Sequence, residues 1–212
     1  MEIEIGGHAL QLLADGGVFE PGTRTLLVAD LHLGKTTVFR EAGLALPDGP
    51  DATILERLAQ LIASTGAETL FILGDVFHAR ASGIERTLAK FQAAHPQLGM
   101  RIVPGNHDRR IPWREWLPDA KIIAEGESVG SFRVAHFPPD KSGGLTLCGH
   151  LHPGIAIGKG RERKLRLPCF WLRRGALVLP AFGEFTGLQM IEREPEDRVW
   201  IAAAGKIVRL PA

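Results

Sequence analysis

The sequence predicts an α/β fold in which a strand-rich second sheet packs against a first sheet built of alternating strands and helices. Three observations carry that prediction. Apolar runs of strand length at residues 25–29, 69–73 and 100–103 alternate with two stretches of helical periodicity. Each of those runs stops abruptly and is followed at once by polar residues. From about residue 130 onward, strand candidates succeed one another with hardly a helix among them. No internal repeat or low-complexity linker divides the halves, so a second packed sheet fits better than a second domain. Residues 1–212 are therefore expected to form one domain, long enough to bury its own core.

The elements follow in order. Residues 2–5 and 9–13 flank Gly6-Gly7 as a hairpin, with a second turn at Asp15-Gly16-Gly17. Residues 25–29 are continuously apolar, the pattern of a strand covered on both faces, and end in Asp30-Leu31-His32. If the chain stays extended there, Asp30 and His32 project to the same side. Pro50 and Asp51 open a helix whose Ile54, Leu55, Leu58, Leu61 and Ile62 share a face, and Gly66 ends it. The strand at 69–73 leads into Gly74-Asp75-Val76-Phe77-His78. A second amphipathic helix at 84–95 precedes the strand at 100–103 and the turn Pro104-Gly105-Asn106-His107-Asp108. In the second half, residues 131–135 end at His136, and 145–148 end at Gly149-His150-Leu151-His152. Further strands are expected at 165–172 and 176–181, with a closing hairpin at 198–202 and 206–210 around Gly205.

In an open parallel sheet, the carboxyl edge of the strands is where ligands bind. Strand ends here deliver Asp30, His32, Asp75, Asn106, His136, His150 and His152. Imidazoles, carboxylates and one amide oxygen suit a borderline divalent ion such as manganese, iron or zinc better than calcium or magnesium. The donors are too many for one four-coordinate ion, whereas two ions sharing a carboxylate would use them all. Composition sets the outer limits. A 45% hydrophobic and 23% charged chain is that of a soluble globular protein, and a formal charge of +1 gives no global case for a polyanion partner. Cys148 and Cys169 form neither a disulfide framework nor a zinc spacing, and Cys148 reads as a small apolar filler. No apolar run approaches the ~20 residues that span a bilayer. Met1-Glu-Ile-Glu lacks a secretory pattern, so the expected location is the cytoplasm.

With those residues in view, the sequence resembles the calcineurin-like metallophosphoesterases. Their pattern of D-x-H, G-D, G-N-H-D, a lone His and G-H-x-H is matched in order by Asp30/His32, Gly74-Asp75, Gly105 to Asp108, His136 and Gly149-His150-x-His152. The resemblance spans about residues 25 to 185. It implies a four-layer αββα sandwich with two central mixed sheets and the metals where the sheets meet. It also implies that Asp30, His32, Asp75 and His152 hold one metal and that Asp75, Asn106, His136 and His150 hold the other, with Asp75 bridging. His107 is then expected to donate a proton or hydrogen bond to the leaving oxygen, with Asp108 fixing its ring. Many relatives read G-D-x-x-D where this chain has His78. That histidine either contacts the substrate phosphate or faces solvent at a helix start.

The stretch from Asp30 to Gly43, with Gly-Asp-x-x-His and Pro-Gly-Asn-His-Asp-Arg, looks like the bacterial ligase-associated members encoded beside DNA-repair genes. That likeness implies a phosphodiesterase using two divalent transition-metal ions, manganese before iron or zinc. Its implied substrate is DNA, cut as single strands by an endonuclease, with a helicase and a ligase as partners. Arg109, Arg110 and Trp113, with Arg114 and Trp116, offer a stacking and phosphate surface, or else the tryptophans simply anchor the loop. Lys159, Arg161, Arg163, Lys164, Arg166, Arg173 and Arg174 form either a basic track beside the last metal motif or a solvated loop. A phosphatase or phosphodiesterase for small nucleotides or phosphoproteins shares the same core. A metal-free binding scaffold is the reading the full ligand set opposes most.

Overall fold

The computed structural model describes residues 1–45, 50–81, 83–140, 143–158 and 164–211. Its first sheet runs, in spatial order, β1 (Glu2–Ile5), β2 (His8–Leu12), β3 (Val18–Glu20), β4 (Thr25–Val28), β5 (Thr69–Leu73), β6 (Gly99–Val103) and β7 (Lys121–Ile122). The strands β1 to β4 pair antiparallel as a meander, whereas β4 to β7 are parallel. Helices α1 (Lys35–Glu41) and α2 (Pro50–Thr65) cross from β4 to β5, and α3 (Ile84–Ala94) crosses from β5 to β6. The second sheet holds β8 (Glu127–Val129), β9 (Phe132–Val134), β10 (Thr146–Cys148), β11 (Pro153–Ile157), β12 (Leu165–Arg173), β13 (Ala176–Val178), β14 (Gln189–Met190), β15 (Arg198–Ala203) and β16 (Lys206–Arg209). Its centre, β9–β10–β13, is parallel, and its remaining pairs are antiparallel except β11 with β14.

The two-residue strand period explains how the continuous apolar runs are used. Leu26, Val28, Leu70, Ile72 and Ile102 face the helices, meeting Ile54, Leu55 and Leu58 of α2 and Ile84, Leu88 and Phe91 of α3. The alternate residues Leu27, Phe71, Leu73 and Val103 face the other way, onto Val134, Leu147, Phe170, Leu177 and Trp200 of the second sheet. The layers are thus helix, sheet and sheet. On the far face of the second sheet, Cys148, Cys169, Trp171, Val178 and Val199 are covered by Leu151, Ile155, Ile191 and Leu210. Among the described residues that outer layer is strand and irregular chain, not helix. Both cysteines are buried, and burial pushes the Cys169 thiol up to about 12 and the Cys148 thiol up as well, which leaves both inert.

Helix α1 was not foreseen, because seven residues starting at Lys35, after Gly34, are too short to display an apolar stripe. The short strands β7, β8, β11 and β14 likewise carry little periodicity of their own. No helix among the described residues is long and apolar enough to cross a membrane.

At the rim of the outer layer, the Trp171 indole donates to a buried Asp197 carboxylate at 2.8 Å, and the Glu194 amide donates to the same oxygen at 3.0 Å. Asp197→Ala leaves both donors unpaired and should cost about 1.5–3 kcal/mol. Chemical denaturation should read that loss while metal bound per chain stays the same.

Candidate metal centre

All seven candidate ligands converge at the carboxyl edge where the sheets meet; six of them form two triads, and Asn106 stands beside the second. Asp30, His32 and His152 form one, and Asp75, His136 and His150 form the other. In the first, His32 Nε2 lies 3.2 Å from His152 Nε2, and His152 Nε2 lies 3.6 Å from Asp30 Oδ1. In the second, His136 Nε2 lies 3.1 Å from both His150 Nδ1 and Asn106 Oδ1. Asp75 Oδ2 stands between the triads, 3.9 Å from His32 Nε2 and 3.7 Å from His136 Nε2. Two ligands that each sit about 2.1 Å from one ion are themselves about 3.0–3.4 Å apart.

The ligands reach these places by leaving the extended conformation. Asp30, His32, Asp75, His150 and His152 have φ of 54°, 49°, 47°, 71° and 45°. This corrects the expectation that Asp30 and His32 share a side by strand alternation, since the turn itself aims them. Backbone amides lock the turns together. Asp30 N donates to Gly74 O at 3.1 Å, His32 N to Asp75 O at 2.9 Å, and Gly149 N to His136 O at 3.1 Å. Glycine is required where those turns close. At Gly74, with φ +87°, an added Cβ would overlap the His136 ring, and at Gly105 it would overlap the Asp75 carboxylate and amide.

Each carboxylate is divided between the protein and the cleft. Asp30 Oδ2 accepts from the His150 amide at 2.8 Å, while Asp30 Oδ1 is buried with no hydrogen-bond donor. Asp75 Oδ1 accepts from the His107 amide at 2.9 Å and turns Oδ2 toward the imidazoles. His136 Nδ1 donates to Leu73 O at 3.1 Å, which fixes its tautomer and leaves a lone pair on Nε2 when the ring is neutral. That lone pair faces the Asn106 and Asp75 oxygens, an arrangement that is repulsive until a cation lies among them. Burial, reinforced by His152, pushes the His32 pKa down to about 2. Burial, with His136 next, also lowers His150. Both are thus in the neutral form that ligates metal. The donor set, the orphaned oxygen and the spacing fit a pair of divalent cations.

His107 and His78 stack beside this centre, ring centroids 4.7 Å apart and planes 29° off parallel, with both edges against His32. His78 therefore lies in the loop after β5, half-buried among imidazoles, and does not face solvent at a helix start, since α3 begins at Ile84. Burial lowers its pKa, with His107 adding to the effect. Asp108 does not orient His107. Its carboxylate accepts from the amides of Gly105, Phe77 and Val76 at 2.9, 3.0 and 3.4 Å, tying the turn after β6 to the turn after β5.

The expected nucleic-acid surface is only partly as anticipated. Arg109 and Arg110 are exposed directly after the buried Asp108. Trp113 cannot offer a face to a base, because it is buried in the helix-side core. Trp116 packs on Phe77 at 5.2 Å. Lys159, Arg161 and Arg163 lie outside the described residues. Arg173 and Arg174 are held by Glu194, at 3.7 and 2.8 Å. Sequence reasoning missed Glu125, which accepts the His136 and Phe137 amides at 3.0 and 2.8 Å, and nothing in its neighbourhood signals that role. It also passed over Lys35 as a site residue, whose charge acts on both His32 and His78. Its place directly after Gly34 in the first motif was the available clue.

The profile of the calcineurin-like phosphoesterase family matches residues 23–168. A nuclease of Pseudomonas putida, MPE, is similar in structure, with a TM-score of 0.83, 34% sequence identity and 99% of each chain covered. A protein of unknown function from Aquifex aeolicus, AQ665, gives a TM-score of 0.42 and 17% identity over 60% of this chain and 78% of its own. The Escherichia coli phosphoesterase Yfce gives 0.41 and 15% over 84% and 86%. No curated protein sequence matches.

Two outcomes follow from this geometry. Gly74→Ala should lower the divalent metal retained per chain, measured by elemental analysis, because the His136 ring is displaced. Gly83→Ala serves as the control, having a similar φ of +86° but open space around it, and should keep its metal. The metal-free protein should also lose stability as pH falls below about 6.5, where the unfolded chain protonates its histidines. His32, His78 and His150 resist that protonation when folded, so the native state falls behind through the window that ends near the His32 value of about 2. Urea midpoints in chelator should thus drop from pH 7.5 to pH 5.5 and be flat above 7.

Proposed function

Because the chain belongs to the calcineurin-like phosphoesterase family, and is therefore a metal-dependent phosphoric ester hydrolase, we propose that its substrate is DNA, cut endonucleolytically as a single strand. The observation that carries this reading is the likeness, along the entire chain, to the P. putida nuclease. The exposed Arg109 and Arg110, two and three residues after His107, add cations where a strand leaving the site could place its neighbouring phosphates. The same reading makes DNA repair the process, with a helicase and a ligase as functional partners, and manganese the working ion.

Asp30, His32, Asp75 and His152 would hold one ion, and Asp75, Asn106, His136 and His150 the other. When bound, the two cations supply charge for the phosphate oxygens and acidify water so that hydroxide is available near neutral pH. The chain's own groups do the rest. Asp75 Oδ2 faces both triads and holds them in register. His107, half-buried and kept in place by its own amide bond to Asp75 and its stack on His78, donates to the leaving oxygen. His78, on the other face of that stack, donates to a phosphate oxygen. Asp108 keeps the two turns at a fixed separation, so removing it would loosen both histidines at once.

Manganese-supplemented assays should separate the substrates. Cleavage of single-stranded DNA is expected alongside an aryl phosphodiester, and robust monoester turnover with DNA left intact would overturn the nuclease reading in favour of a phosphatase. His107→Ala should slow DNA cleavage by about 10²–10⁴-fold with metal content unchanged. Equal loss of metal would move His107 into the ligand set.

A further inference from the structure

We infer that Phe137 is a stacking platform for a nucleobase of the strand being cut, an inference that rests on the DNA reading above. Phe137 directly follows His136, and its ring centroid lies 4.6 Å from the His136 ring and 4.4 Å from the His150 ring. Despite those contacts it is 37% exposed, whereas Phe77 on the opposite side of the centre is fully buried. Phe137 therefore meets two candidate ligands of the same triad in T-shaped contacts, and more than a third of it stays open to solvent. A cavity of about 310 Å³ opens beside it, bounded by Phe137, Pro138, Pro139, His150 and Arg173. This volume suits one flat heterocycle.

The platform is rigid before anything binds. The Glu125 carboxylate accepts both the His136 and the Phe137 amides, at 3.0 and 2.8 Å. Pro138 and Pro139 then restrict the next two backbone positions. An aromatic ring held this way loses little freedom when a base settles on it. The charge around the cavity favours a neutral occupant. Arg174 is paired with Glu194 at 2.8 Å, Arg173 approaches the same carboxylate at 3.7 Å, and Asp140 also lines the cavity. Two guanidiniums thus meet two carboxylates, so this pocket does not select an anion. A phosphate goes to the metal centre, and the adjoining base, which carries no charge and has a π face, goes to Phe137.

The variant that separates stacking from packing is Phe137→Leu, which keeps apolar bulk against His150 but has no aromatic face. With manganese present, it should lose between about 5- and 150-fold in kcat/KM on single-stranded DNA. Its metal content and its rate on a small aryl phosphodiester should match the wild type, and Phe137→Trp should restore DNA cleavage. Oligonucleotides carrying one abasic position, stepped along the strand relative to the cut, give the second readout. The wild type should show one position at which removing the base slows cleavage by the same factor, and Phe137→Leu should be indifferent to that position. A wild type that cuts no DNA sinks the nuclease reading and this inference together. A wild type that cuts DNA while Phe137→Leu cuts it equally well, or loses DNA and aryl diester activity in parallel, sinks this inference alone.

Discussion

The structure depends on two buried carboxylates, Asp30 and Asp75, that each serve two masters. One oxygen of Asp30 takes the amide of His150, 120 residues away, and one oxygen of Asp75 takes the amide of His107, 32 residues away. Those bonds draw the turns of the second sheet and of β6 onto the ends of β4 and β5. The other oxygens are left facing imidazoles, and Asp30 Oδ1 has no donor among them. A buried carboxylate oxygen without a partner is costly, so the arrangement persists only because the surrounding backbone over-determines it. The same amide bonds that close the fold therefore decide which oxygen each aspartate turns toward the cleft.

Backbone strain follows from the same requirement. Left-handed φ at a non-glycine residue costs on the order of 1 kcal/mol or more, and five ligand positions carry it. Steric necessity also fixes the glycines between them, since a side chain at Gly74 or Gly105 would occupy the space of His136 or Asp75. Asp108 joins the turns after β5 and β6 through three backbone amides and reaches no metal-facing atom. Burial, opposed by those amide bonds, raises its pKa above the usual carboxylate range. Its work is mechanical, whereas the His107 ring next to it faces the cleft, stacked on His78, against His32 and 4.0 Å from Asp75 Oδ2. Adjacent residues of one motif thus divide into a rigid strut and a group that can meet substrate.

Much of this was legible because chemistry and periodicity agreed. Residues 25–29 and 69–73 are apolar on both strand faces, and the structure uses both, one for helices and one for the second sheet. The order of Asp, His and Asn at strand ends located the convergence before any coordinates did. What stayed hidden depends on turns and on distant partners. Nothing local distinguishes Glu125 from any surface acid until the His136 amide is seen on it. Trp113 lies among arginines in sequence and looks like a stacking ring, yet the turn before it points it into the core. Asp108 next to His107 invites the reading of an orienting pair, and only the amide geometry reveals what it holds. Periodicity describes elements, and these roles belong to the irregular chain between them.

The charge of the chain looks uninformative for a protein proposed to cut a polyanion, and the site accounts for that. Formal net charge is +1 over 212 residues, so no global field draws DNA in. The imidazoles His32 and His150 are kept neutral by burial and contribute ligands without contributing charge. Against two carboxylates, two divalent cations would leave an excess of two positive charges beside the buried Asp30 and Asp75, where charge counts for more than on the surface. A phosphodiester, carrying one negative charge, would offset part of that excess. The attraction for phosphate would thus reside in the metal site and not in the amino-acid composition. The side chains around it are then left to recognise what the phosphates connect, and a neutral aromatic beside the centre suits that task better than another cation.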